Sequence, residues 1–300
     1  MTFNRNRMRW AILAVIVGVL IAGFWNYKLV DGLGRDLLAN PLIGEEAAGY
    51  NEGGSWFGFV FAAAAGLAAS FTACNCVVFA MLPGLLCGTD SRTSTRRSAF
   101  VVLAIFAAAV LVVCGVYGAY VTSLGVEGVE AFNERGMRLS QAQTTFTLIG
   151  VALIAWGLLS YGFFDSLRGL VSPRLQSLLA SSEAKAALMG LMAGFFAVGR
   201  PYPVFREFIL YAAESGSWLY GSAVMMVQGL AQIAIMVVLF LAITQFMGKR
   251  LIRWMTNKPH QPQMISSFAL LAGGAFFVYY WGFAFWYDIG GWGFKLQWYE

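Results

Sequence analysis

Seven long apolar stretches divide this chain, and each is close to the length that a helix needs to cross a membrane. The hydrocarbon core of a bilayer is about 30 Å thick, and a helix needs roughly 20 apolar residues to span it. The stretches cover residues 10–25, 56–82, 100–122, 146–164, 186–213, 220–246 and 265–287. Charged residues make up only 12% of the chain, against about 25% in a soluble domain. The sequence therefore predicts an all-α integral membrane protein.

The first stretch follows Arg5, Arg7 and Arg9, a pattern shared by signal peptides and N-terminal anchor helices. Residues 23–27 offer no small-x-small cleavage site, so we expect an uncleaved anchor. The predicted units are residues 1–53 (cytoplasmic tip, anchor and periplasmic loop), 54–287 (a six-helix transmembrane core) and 288–300 (a periplasmic tail). Basic residues stand between the apolar stretches and form no single patch, so no nucleic-acid partner is expected.

Loop charge predicts the orientation, because cytoplasmic loops of membrane proteins carry an excess of lysine and arginine. With the N-terminus in the cytoplasm, thirteen of these residues fall on the cytoplasmic side and five on the other side. The sequence therefore predicts a multi-pass protein of the bacterial inner membrane, with its N-terminus in the cytoplasm and its C-terminus in the periplasm.

Two of the stretches carry residues that interrupt a helix. Span two contains Cys74, Asn75 and Cys76 and ends near Pro83, while span five contains Arg200, which two prolines follow closely. These prolines, Pro201 and Pro203, remove two backbone donors and restrict the residues before them. A continuous helix across 199–203 is therefore not expected.

The interrupted stretches each open a group of three spans. Three is an odd number, so the second group crosses the membrane in the opposite sense to the first. Transporters with inverted repeats place their sites where a broken helix from each half meets. The spacing predicts an N-terminal anchor followed by a six-helix core of two inverted three-helix repeats.

At these residues the chain resembles the CcdA/DsbD transmembrane family, which passes reducing equivalents from cytoplasmic thioredoxin to the periplasm. The first half is similar to the family pattern through Cys76-Val77-Val78 and Leu82-Pro83-Gly84. The second half is similar through Pro203 and through Tyr211-Ala212-Ala213-Glu214-Ser215-Gly216-Ser217. The size, the extra anchor and the altered cysteines are similar to a divergent branch, the membrane proteins of methylamine-utilisation clusters. That branch implies a part in making periplasmic methylamine dehydrogenase.

The chain departs from the family in its reactive residues. Family members carry one reactive cysteine in each half, whereas here Cys76 lies near the first position and Arg200 stands at the second. The usual disulfide between the halves therefore cannot form, and the electron-carrying function does not follow from the fold alone.

Cys74 and Cys76 are the candidate reactive centre. On an ideal helix they point in nearly opposite directions, but unwound backbone would let them meet as a strained disulfide or as soft ligands for Cu(I). The alternative is that both act as small apolar residues, which is the role expected of Cys87 and Cys114. No resident cofactor or metal is predicted.

Arg200 is the candidate electrostatic partner of the two thiols. A charge in a membrane span usually faces a partner or a water-filled cavity. Glu207 lies seven residues further on and on the same helical face, so an internal ion pair is one possibility. The other is a positive site for a thiolate, a carboxylate or another anion.

These features predict thiol-redox handling or maturation of a periplasmic protein. The expected partners are membrane lipid, a periplasmic client protein and a thioredoxin-like protein. Two other classes stay open: a transporter of a small anion or metal ion, and a non-catalytic assembly scaffold.

Overall fold

The computed structural model describes residues 2–43, 56–70, 95–163, 181–199, 203–257 and 260–299. Within these ranges the chain is helical with short connections and contains no β-strand. The α-helices are α1 (Thr2–Gly23), α2 (Tyr27–Gly34), α3 (Asn40–Ile43), α4 (Phe57–Ala69), α5 (Thr95–Asn133), α6 (Arg135–Tyr161), α7 (Ser182–Gly199), α8 (Pro203–Glu214), α9 (Trp218–Asn257), α10 (His260–Phe277), α11 (Phe285–Tyr287) and α12 (Trp292–Lys295). Two π-helical segments, Arg35–Ala39 and Val278–Ala284, follow α2 and α10.

Several of these helices are long and apolar enough to cross a membrane. Four pass by length and composition, namely Phe100–Asn133, Arg135–Ser160, Trp218–Ala242 and Met264–Ala284. The number rises to six if two sharply bent helix pairs, α1 with α2 and α7 with α8, each count as one span. The start of the second predicted span is the shorter apolar helix α4. The protein is therefore an all-α, multi-pass membrane protein, as predicted.

Contacts between the helices reveal their relative directions. Contacting residue pairs run in the same order in parallel helices and in opposite orders in antiparallel ones. Parallel pairs are α1 with α10 (Trp10 to Phe268, Trp25 to Phe276), α4 with α9 (Gly58 to Tyr220, Ser70 to Gln232) and α5 with α7 (Phe106 to Gly190, Val113 to Gly194). Antiparallel pairs are α5 with α9 (Gly118 to Gly221, Cys114 to Gly229) and α6 with α10 (Gly157 to Leu271, Gly150 to Val278). These directions match a chain that crosses the membrane alternately.

Span five is broken where its prolines predict a break. Helix α7 ends at Gly199, α8 begins at Pro203, and the two helices are bent by 87°. Helix α8 then packs across α4 and α5, with Phe208 and Tyr211 in edge-to-face contact with Phe61. Aromatic contacts therefore fix the turned half of span five against the start of span two.

The region after α1 is folded against the bundle, although the sequence indicated a periplasmic loop there. The chain bends by 77° between α1 and α2, and Gly34 packs against the backbone of Ala68 in α4. Ala39 and Ile43 are buried in the same core. Small residues permit this close approach, and the segment covers one side of α4.

The C-terminal residues also fold back onto α1. Trp298 stacks on Phe24 with ring centroids 5.1 Å apart, and Trp292 meets the same ring edge-on. The hydroxyl of Tyr299 donates a hydrogen bond to the backbone carbonyl of Phe24. The predicted tail is thus tied to the far end of the first helix.

Candidate functional site

Most of the residues singled out from the sequence fall outside the described ranges. These are Cys74, Cys76, Pro83, Cys87, Arg200 and Pro201. Two others are described: Pro203 is the first residue of α8, and Glu207 is half-buried within it. The described candidate site therefore consists of residues that flank them in the sequence.

A buried polar cluster joins α4 to α9 one helical turn before Cys74 in the sequence. It consists of Ser70, Gln228 and Gln232; both glutamines are almost fully buried. The Ser70 hydroxyl donates to the backbone carbonyl of Gln232 at 2.8 Å, and the carbonyls of Ala231 and Gly66 lie at 3.3 and 3.4 Å. Nε2 of Gln228 donates to Oε1 of Gln232 at 3.2 Å. The Ser70 hydroxyl therefore links α4 to α9, and the two glutamine side chains bond to each other along α9.

One acceptor of this cluster is unfilled within the described part of the chain. Oε1 of Gln228 is buried and has no hydrogen-bond partner among the described residues. A buried acceptor without a partner costs about 1–3 kcal/mol. The position is suited to an O–H, N–H or S–H donor.

A close helix crossing positions the cluster. Gly66 of α4 lies directly on the backbone of α9 at Gln228, and a Cβ atom at Gly66 would come within 2.7 Å of the Ala231 Cβ. Since only glycine fits at such a contact, the two backbones approach closely enough for the Ser70 hydroxyl to reach carbonyls of α9. The Ser70 hydrogen bond therefore depends on the glycine at the crossing.

The second half of the chain contains a matching crossing. Gly190 of α7 lies on the backbone of α5 at Phe106, and a Cβ atom at Gly190 would come within 2.7 Å of the Ala109 Cβ. The pair α7–α5 thus repeats the geometry of the pair α4–α9.

The polar cluster exists in only one of the two crossings. The positions that match Gln228 and Gln232 of α9 are Phe106 and Val110 of α5, and all four side chains are buried. Ser70 likewise corresponds to Gly194, which packs on an apolar side chain of α5. The three polar side chains are therefore a specific addition to a packing scheme that works without them.

A repeated sequence motif accompanies the two crossings and is absent from the predictions made above. The pattern Gly-Leu-x-Ala-x-Phe-x-Ala begins at Gly66 and again at Gly190. The tenth residue after each glycine is Cys76 in the first copy and Arg200 in the second. A comparison of the chain with itself would have found both the motif and this correspondence.

The two interrupted helices leave their crossings in opposite directions. Ser70 lies four residues beyond Gly66, or about 6 Å along a helix, and Gly199 lies nine residues beyond Gly190, or about 13 Å. Because α4 and α7 are antiparallel, the two helices run from their crossings toward opposite ends of the bundle. Gly199 lies beside Thr145 and Phe146, in the first half of α6. The Ser70 cluster and the end of α7 therefore lie at different depths.

Cys114 is the one cysteine that the described ranges contain. It is fully buried on α5 and packs against Gly229 of α9. This environment is apolar, and the residue fills space at the α5–α9 contact.

Comparisons of the chain with family models, with curated proteins and with solved structures found no match.

Proposed function

We propose that this protein acts in a bacterial inner membrane in thiol-redox handling or in the maturation of a periplasmic protein, with Cys74 and Cys76 as its reactive centre. The observation that supports this best is the buried polar cluster one helical turn before Cys74 in the sequence. A reactive cysteine must reach its thiolate form, which requires hydrogen-bond donors, water or positive charge nearby. The cluster supplies buried polar groups close to the thiols in the sequence.

The one-sidedness of the cluster strengthens the proposal. Phe106 and Val110 show that the same crossing packs well with apolar side chains. Polar residues in a membrane interior are costly and usually serve a function. Gln228 and Gln232 lie in the crossing made by α4, which precedes the cysteines in the sequence, and they have no counterpart in the other crossing; this favours a role linked to the thiols.

We also infer that the core consists of two inverted repeats, α4 to α6 and α7 to α10. Three observations support the inference: the matched glycine crossings, the repeated motif and the alternating helix directions. In this relation Arg200 occupies the position of Cys76. A guanidinium would then stand where the related family carries its second thiol. Since Ser70 and Gly199 lie in opposite directions from their crossings, Arg200 reaches the thiols only if the chain beyond these residues turns back.

The excess of lysine and arginine on one side supports a cytoplasmic N-terminus and a periplasmic C-terminus. A cytoplasmic thioredoxin-like protein would then supply electrons, and a disulfide-containing periplasmic protein would be the client. Within the CcdA/DsbD superfamily the membrane protein MauF is the proposed relative, with methylamine dehydrogenase as the proposed client.

Transport of a small anion or metal ion is the second candidate function. It is favoured by the 87° bend between α7 and α8, because transporters often bind ions at discontinuous helices.

Thiol labelling tests the two proposals against each other. Membranes containing the full-length protein are treated with a maleimide before and after reduction, and the wild type is compared with single serine replacements of its four cysteines. The expected result is labelling that requires reduction in the wild type and whose dependence on reduction is lost in both Cys74→Ser and Cys76→Ser. A pair of thiols that becomes labelled only after a chelator is added would indicate a bound metal ion. If all four cysteines stay unlabelled and every serine variant is functional, the redox proposal is wrong.

A matched pair of variants tests the role of the polar cluster. Gln228→Leu removes an amide from the α4–α9 crossing, and Phe106→Leu places the same side chain at the equivalent position of the α5–α7 crossing. We expect the maleimide to react more slowly with Cys74 and Cys76 in Gln228→Leu and at the wild-type rate in Phe106→Leu. Equal labelling rates in both variants would show that the cluster does not influence the reactivity of the thiols.

A further inference from the structure

A second group of buried polar atoms lies at the end of the bundle where α5 passes into α6. Asn133 is the last residue of α5, Arg138 lies in the first turn of α6, and Arg206 lies in the first turn of α8. The Asn133 side chain is 92% buried, since its exposed fraction is 8%. Nδ2 of Asn133 and Nε of Arg206 are buried, and neither has a hydrogen-bond partner among the described residues. These two unfilled donors lie on helices that pack against each other, α5 and α8.

Arg138 and Arg206 are two positive charges in this region. Arg206 and Arg135 both add positive charge around Arg138. Nη1 of Arg138 donates to the backbone carbonyl of Asn133 at 3.4 Å, which is a long hydrogen bond. Glu134 follows Asn133 and Glu207 follows Arg206 in the sequence. Within the described ranges, however, neither Arg138 nor Arg206 forms an ion pair with a carboxylate. The donors of the region are therefore unfilled, although carboxylates stand next to them in the chain.

Such an arrangement is unfavourable by itself and becomes favourable when an anion fills it. Like charges held close together destabilise a fold, and buried donors without acceptors do so as well. An oxyanion would accept hydrogen bonds from all three side chains and would cancel the repulsion. Guanidinium groups bind phosphate and carboxylate oxygens through two parallel hydrogen bonds.

The position of the group also fits an anion. Helix α5 is redirected at Gly125, whose backbone is non-helical with φ 68°. The part of the span before this kink, residues 100–124, is already roughly 37 Å long, whereas the hydrocarbon core is about 30 Å thick. The end of α5 therefore extends past the hydrocarbon into the headgroup layer, where anionic phosphates are abundant.

We propose that Asn133, Arg138 and Arg206 bind an oxyanion of the phosphate type. Its source is either the headgroup of an anionic phospholipid in the adjacent leaflet or dissolved inorganic phosphate. The site is separate from Cys74 and Cys76, and its test does not depend on thiol chemistry.

Native mass spectrometry of the purified full-length protein tests the site with phosphatidylglycerol, using zwitterionic phosphatidylcholine for comparison. Arg206→Gln should weaken retention of phosphatidylglycerol about tenfold, because it removes one charge-assisted interaction. Arg135→Gln is the comparison, since it removes the same charge from an exposed side chain that lies outside the proposed site. It should weaken retention much less than Arg206→Gln does.

A second variant separates ligand binding from structural roles. Asn133→Asp places a carboxylate beside two arginines, so it should abolish anion binding and raise the unfolding temperature. If the arginines were only structural, this variant would bind phosphatidylglycerol as the wild type does.

Thermal unfolding in phosphate and in chloride, at equal ionic strength, identifies the source of the anion. A phosphate-specific stabilisation of the wild type that is lost in Asn133→Asp would indicate dissolved phosphate. Selective lipid retention without that stabilisation would indicate the headgroup. The proposal is overturned if the wild type retains both lipids equally and phosphate has no specific effect.

Discussion

Replacing the glycine of each helix crossing by alanine tests the correspondence between the two halves. A Cβ atom at Gly66 would lie 2.7 Å from the Ala231 Cβ, and one at Gly190 would lie 2.7 Å from the Ala109 Cβ, whereas ordinary contacts begin at about 3.4 Å. Each variant would also press its new methyl group onto a backbone carbonyl of the neighbouring helix. The crossing must therefore open in either variant, and by a similar amount in both.

The expected size of the effect follows from two opposing contributions. Overpacking of a close contact costs about 1–3 kcal/mol, while alanine gains about 1 kcal/mol over glycine in a helix. Gly136→Ala isolates the second contribution, because nothing lies within 4 Å of a Cβ atom there. Gly66→Ala and Gly190→Ala should each be about 1–3 kcal/mol less stable than Gly136→Ala.

Unfolding of the purified variants in one detergent, followed by tryptophan fluorescence, measures these differences. The two crossing variants should lose a similar amount of stability, and Gly136→Ala should be neutral or slightly stabilised. If Gly66→Ala and Gly190→Ala are as stable as Gly136→Ala, the helices do not approach closely at these two glycines. If only one of them is destabilised, the two halves do not share their geometry.

Three further predictions concern the polar cluster, the orientation and the arginine of span five. Replacing Gln228 and Gln232 together by leucine should change the unfolding temperature little, because both partners of a buried hydrogen bond are removed. Maturation activity should nevertheless fall, while the amount of protein inserted in the membrane should stay at the wild-type level. A periplasmic reporter fused after Glu300 should be active and one fused within 249–264 should be silent, and the reverse pattern at both sites would overturn the orientation. Arg200→Lys should retain partial function and Arg200→Met should lose it at normal expression; equal activity of Arg200→Met and wild type would contradict an electrostatic role.

The features that the sequence predicted well depend on short-range chemistry. The apolar stretches predict where helices run because backbone groups in hydrocarbon must form hydrogen bonds within the segment. The break between Gly199 and Pro203 was predictable because proline lacks a backbone donor.

The features that it predicted poorly depend on which helices meet. Gln228 and Gln232 are visible in the sequence as amides in an apolar span, but their pairing next to Ser70 depends on a partner helix far away in the chain. The segment from Tyr27 to Ile43 was predicted only as part of the connection between two spans, and its packing against α4 depends on residues further along the chain.

The contact between α1 and α10 has a consequence for biosynthesis. Gly18 packs against Ala272, and Trp25 meets Phe276 edge-on, so α1 binds a helix that is synthesised long after it. During translation α1 stays in the membrane without this neighbour until α10 has been made. A chain that stops before α10 therefore leaves its N-terminal helix without that neighbour, and membrane quality control can distinguish it from the finished protein.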